Sequence, residues 1–154
     1  MEPPKGSVKQ LRQMQTTLPE LKIQYGHGER GWATDIGGGF AIIDNIPYRG
    51  PLHYLDVVEV QDDSDGREVP VAGRVVWRAY QLKSTIRYPH NEPDRWYRAI
   101  RGACKAEGWA IEGAYAGICM VCHHPDPELQ AVLTEAGLDI EKLTISSNQE
   151  QEHA

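Results

Sequence analysis

The sequence is short of cysteine, of basic residues and of long apolar runs, and each shortage closes off a class of protein. Three Cys in 154 residues is an odd number, which argues against a disulfide framework and fits reduced thiols. Sixteen Lys and Arg stand against twenty-two Asp and Glu, for a formal charge of −6. Such a surface repels a phosphate backbone, so nucleic acid is not expected as a ligand. No stretch approaches the roughly 18 apolar residues of a membrane span. Met1-Glu2-Pro3-Pro4-Lys5-Gly6 leads into no apolar secretory segment, so the expected location is the cytoplasm and membrane association is not expected.

The motifs of common chemistries are also missing or incomplete. Gly37-Gly38-Gly39 lacks the Lys-Ser/Thr of a phosphate-binding loop, and no Ser sits in a Gly-x-Ser-x-Gly elbow. Gln61-Asp62-Asp63-Ser64-Asp65-Gly66 begins like a calcium loop, but Ala72 falls where the bidentate Glu must be. Cys119-Met120-Val121-Cys122-His123 matches the pattern of covalent haem attachment. The run reads as a strand, however, and residues three apart in a strand point to opposite faces, so the thiols cannot converge. Adjacent His123 and His124 diverge for the same reason. Neither a metal nor a cofactor is expected.

What is present is a core and a change of period. Forty per cent of residues are hydrophobic, with seven Tyr and four Trp, enough to exclude global disorder. Residues 1–18 read as a flexible arm and 146–154 as a disordered tail. Over 19–82, short alternating runs (Leu21–Tyr25, Gly31–Asp35, Phe40–Asp44, Leu55–Val60 and Val69–Tyr80) are separated by Gly-rich turns. They predict a small antiparallel β-barrel or curled sheet. Over 83–145 the pattern predicts strands near 85–89, 109–113, 117–123 and 141–145, and helices near 93–107 and 126–136. Pro93 suits a first helical position, Gly108 a helix stop, and Asp126-Pro127 a cap followed by a first turn. Ile100 and Cys104 share the buried face of the first helix. The order is β-α-β-β-α-β, so the expected class is α+β with a C-terminal ferredoxin-like sandwich. Such a sheet can bind RNA through exposed aromatics, but its middle strand, Ile118–Cys122, carries none. Trp32, Trp77, Trp96 and Trp109 are expected in the core.

Certain residues also stand in a familiar order: Ile46-Pro47-Tyr48 after a strand, Asp56-Val57-Val58 opening the next, Ser84-Thr85-Ile86-Arg87 opening the second half, and a Glu112-Gly113 hairpin before an apolar strand. From Phe40 to about Ile145 the chain resembles domain-of-unknown-function family 4265, a group of small bacterial proteins. Leu55 stands where that pattern has Gly. The resemblance implies a fold and no activity.

The functional expectation is a non-enzymatic binding protein, an immunity-type protein that neutralises a bacterial toxin by occluding it. Glu59, Asp62, Asp63, Asp65 and Glu68 would form an acidic rim that steers a basic toxin domain. The alternative is a small enzyme or ligand sensor with a pocket between the two halves and His53, His90 or His123 as its titrating group.

Overall fold

The computed structural model describes residues 7–25, 28–61 and 69–147. The chain is α+β and divides into two units, Met1–Tyr80 and Gln81–Ala154.

In the first unit, α1 (Val8–Thr17) precedes five strands: β1 (Glu20–Gln24), β2 (Arg30–Gly37), β3 (Phe40–Ile43), β4 (Val57–Gln61) and β5 (Val71–Trp77). They form a closed ring in sequence order. Successive strands pair antiparallel, and β5 closes on β1 through a parallel pairing at Gln24 and Val71. An odd number of up-and-down strands leaves first and last pointing the same way, so the closure must be parallel. The alternation read from sequence fills the barrel: Ile23, Tyr25, Ala33, Ala41, Ile43, Leu52 and Val58 form its buried core.

The segment expected as a flexible arm contains α1. Ser7 caps it: the Ser7 hydroxyl accepts from the Gln10 N–H at 3.2 Å, and the Gln10 side chain accepts from the Ser7 N–H at 2.9 Å. Leu11 is fully buried and α1 lies on β2. Burial of Leu11 against the sheet, with Val8 and Met14 half-buried, anchors a helix whose other residues are polar.

In the second unit, β6 (Leu82–Arg87), α2 (Pro93–Ala106), β7 (Ala110–Tyr115), β8 (Ile118–His123), α3 (Leu129–Glu135) and β9 (Thr144–Ser147) build a four-stranded sheet. Its order is β7-β8-β6-β9, and every pairing is antiparallel. Pro93 opens α2, whose buried residues are Ile100 and Cys104. Both long connections end alike. Gly108 (φ 77) and Gly137 (φ 88) take left-handed backbone, and the next residue returns its N–H to the helix, Trp109 to Cys104 O and Leu138 to Leu133 O, both at 3.1 Å.

Two boundaries differ from expectation. The cap of α3 is Glu128, not Asp126, and its side chain makes no capping bond; Glu128 O instead receives the first helical bond, from Val132 N–H at 3.1 Å. A 3-10 turn over Ile140–Lys142 delays β9, which runs to Ser147, so Ser146 and Ser147 pair with Thr85 and Ser84 instead of beginning a tail. The register against β6, with Ile145 opposite Ile86, decides this. No described helix is long and apolar enough to cross a membrane.

Candidate functional site: a groove between two helices

The sequence-predicted residues fall in separate places. Asp62, Asp63, Asp65 and Glu68 lie outside the described residues. Glu59, on β4, is held by Arg74 of β5, with Nε at 3.1 Å and Nη2 at 2.8 Å from the same carboxylate oxygen. The two form an exposed cross-strand ion pair. Trp109 is buried, but Trp77 and Trp96 are half-buried and Trp32 is 43 % exposed, against the core role expected for all four. Register explains this: Trp32 lies opposite Lys22 on the outward face of the barrel, with the ammonium 4.7 Å from the ring centre.

The three histidines offered as alternative titrating groups have different surroundings. His90 is exposed. His53 is sealed in the first unit, its Nδ1–H donating to Tyr80 O at 2.6 Å. Beside it, buried Asp56 accepts from the His53 N–H at 2.7 Å and from Arg78 through two bonds of 3.0 Å each. This network fixes the turn into β4, where Leu55 takes φ 65. Leu55, the position where the family pattern has Gly, thus occupies backbone that favours Gly.

His123 ends β8 in the second unit. Its Nδ1–H donates to His124 O at 3.1 Å, which leaves Nε2 to accept from the Ser84 hydroxyl at 2.7 Å. This is the geometry of a nucleophile and its base. Ser84 is 2 % and His123 3 % exposed, with the Trp109 ring 5.3 Å from the imidazole. Burial lowers the His123 pKa, as expected where charge is poorly solvated. The pair satisfies two core polar groups. The neighbouring thiols are equally closed off: burial pushes Cys104 and Cys119 up to about 12. Cys119 faces Ile86 and Gly113, and Cys122 faces Lys83 and Ala110 across the ladders. An odd spacing along one strand puts the two on opposite faces.

A second polar constellation lies in the first unit, and sequence reasoning missed it. Asp44 accepts from Gln15 Nε2 at 2.7 Å and from the Thr34 hydroxyl at 2.9 Å, while Gln15 Oε1 accepts from the Tyr54 hydroxyl at 3.0 Å. Burial raises the Asp44 pKa, against the lowering effect of those hydrogen bonds. The cluster is the polar half of the seat for α1, joined to Leu11.

Open space lies elsewhere in the second unit. A groove of about 600 Å³ runs between the N-terminal half of α2 and the link from α3 to β9. Trp96 and Ala99 of α2 face Ala136 and Leu138 across it, with Arg95, Lys142 and Asn91 at its rim. The local reason is topological. α2 starts and α3 ends at the same end of the sheet, and the Gly137 reversal carries Leu138 and Asp139 back toward α2. Two carboxylates also line the groove, each taking one bond. Glu92 pairs with Arg95 at 3.3 Å, and Asp139 accepts from the Glu141 N–H at 3.1 Å. Among the described residues no three His, Cys, Asp or Glu gather in a way that could hold a metal ion.

No family model matches the chain. No curated protein matches it either. The resemblance to family 4265 therefore stays a likeness of pattern. The chain is similar in structure to a hypothetical protein from Neisseria gonorrhoeae, with a TM-score of 0.55 and 13 % identity over 84 % of this chain and 93 % of that one. At that identity the likeness establishes the fold alone.

Proposed function

We propose that this chain is a non-enzymatic binding protein that works through the α2–α3 groove. One contrast carries the reading. The Ser84–His123 pair, which has the geometry of a nucleophile and its base, and the three thiols Cys104, Cys119 and Cys122 are buried. The groove in the same unit is open and rimmed by Arg95, Lys142 and Asn91, with an aromatic wall. Chemistry needs reactive groups where a substrate can reach them; recognition needs a concave site with a few placed polar groups. The order β7-β8-β6-β9 with α2 and α3 as the two crossovers supports a ferredoxin-like sandwich as the frame.

A thermal-shift screen of small molecules against two variants tests the reading. Ligands that raise the wild-type Tm should raise that of Ser84→Ala equally and fail to raise that of Trp96→Ala. A ligand concentration near 100 times Kd stabilises by about 2.7 kcal/mol, well within detection. Hits that survive Trp96→Ala but vanish with Ser84→Ala would place the working site at the buried pair instead.

Neutralisation of a basic bacterial toxin is a narrower proposal. Its support is the net charge of −6, which would speed encounter with a basic domain. Association with such a domain should then slow steeply as salt is raised. A salt-independent association rate would remove electrostatic steering from the account.

A further inference from the structure

Charge on the helices of the second unit is sorted by helix. From Arg95 to Lys105, α2 carries Arg95, Arg98, Arg101 and Lys105 and no carboxylate. From Asp126 to Glu141, the stretch containing α3 carries Asp126, Glu128, Glu135, Asp139 and Glu141 and no Lys or Arg. All nine are exposed. Carboxylates border the basic run, Glu92 and Asp94 before it and Glu107 after it, and Arg95 pairs with Glu92 at 3.3 Å. Among the described residues that is the one ion pair the nine make. α2 packs on α3, yet no ion pair joins the two.

An exposed helix kept only for solubility gains from opposite charges three or four residues apart. α2 instead sets Arg101 three after Arg98 and four before Lys105, like beside like. Gly102 lies between Arg98 and Lys105 on this exposed face, in a helix interior where only proline is a poorer choice. A side chain there would meet nothing within 4 Å, so nothing described in the chain needs the space.

We propose that this face docks a second copy of the chain, with α2 of each copy lying along α3 of the other. α2 starts where α3 ends, so the two run antiparallel. A two-fold axis between the helices and along them lays α2 of one copy antiparallel on α3 of its partner. Arg98 to Lys105 and Glu128 to Glu135 each span seven residues, two turns or about 10 Å. Lys105 then meets Glu128, and Arg98 meets Glu135, across the axis, and the symmetry repeats both pairs. The charge pattern chooses the occupant. A polyanion drawn to α2 is repelled by the five carboxylates beside it, and a polycation meets the reverse. A second copy carries both signs in the matching order. The bare backbone at Gly102 lets the opposing helix come close. This inference goes beyond the reading of the groove as a binding site and stands without it.

The test is sedimentation equilibrium of the full chain over a range of concentrations, at about 0.05 M and about 0.5 M salt. The wild type should dimerise at the lower salt and shift toward monomer at the higher. Two double variants carry the decision: Arg98→Glu with Lys105→Glu, and Glu128→Lys with Glu135→Lys. All four positions are exposed, so circular dichroism and Tm should stay close to wild type. Each variant alone should weaken dimerisation roughly a hundredfold, the cost of setting like charges opposite one another. Mixed in equal amounts, the two should form a mixed dimer of near wild-type affinity, because every pair is again opposite in sign. A chain that stays monomeric at every concentration in low salt, a dimer indifferent to both variants, or variants that fail to rescue each other would overturn the proposal.

Discussion

His123 shows most clearly how a residue's surroundings set its role. A Ser hydroxyl 2.7 Å from an imidazole whose other nitrogen is oriented by a carbonyl has the distances of a catalytic pair. Burial turns the same geometry into a structural one. It also makes a pH signature. The His123 pKa is depressed in the folded protein from its ordinary value of 6.5, so the unfolded chain binds a proton first as pH falls. The stability His123 supplies is complete above 6.5 and declines as pH drops below that value toward the folded pKa. Chemical denaturation at a series of pH values should show stability falling below pH 6.5 in the wild type, with a shallower fall in His123→Gln. Equal slopes would mean that the imidazole is solvated. Asp44 works in the opposite direction. Its pKa is raised above 3.8 in the folded state, so its contribution is most favourable at low pH and is lost as pH rises through the folded pKa. Asp44→Asn should remove that rise in stability toward acid. Neither effect was legible in the sequence, because both depend on which strands lie side by side.

Elements were read well where one local rule governs them. Pro93 at the first position, Ile100 and Cys104 one turn apart and Gly108 at the end place α2 within a residue of its observed limits. The barrel strands follow their alternation for the same reason. The misread elements are those set by partners distant in sequence. α3 starts three residues after Asp126, and β9 is delayed by a 3-10 turn. The helix α1 is different: its signal was present. Ser7 and Gln10 are a capping box three residues apart, and Leu11 is the buried position of a largely polar helix. Weak amphipathicity hid it. Leu11→Ala should therefore destabilise the first unit by about 2–5 kcal/mol, as deletion of a buried Leu does, and should release the amides of Val8–Thr17 to hydrogen exchange. A change below about 0.5 kcal/mol would return the segment to the status of an arm. The groove illustrates the same limit. Its two walls come from α2 and from the α3–β9 link, and no motif in either announces the other.

At the scale of the molecule, composition correctly points to a real core, and the order of the periodic segments to an α+β chain. It points poorly to a site. Glu59 of the expected acidic rim lies 2.8 Å from Arg74 and the rest of that rim lies outside the described residues, while the groove sits on an element read only as a core helix. The central claim is that this protein works by holding something in that groove, and native mass spectrometry of the chain purified from its own host is the most direct test. Ala99→Trp places an indole in the groove, from a helix position that is exposed and so able to accept it. The wild type should carry a bound organic species that the Ala99→Trp protein, folded and equally pure, lacks. Retention of the same species by both proteins would contradict the claim.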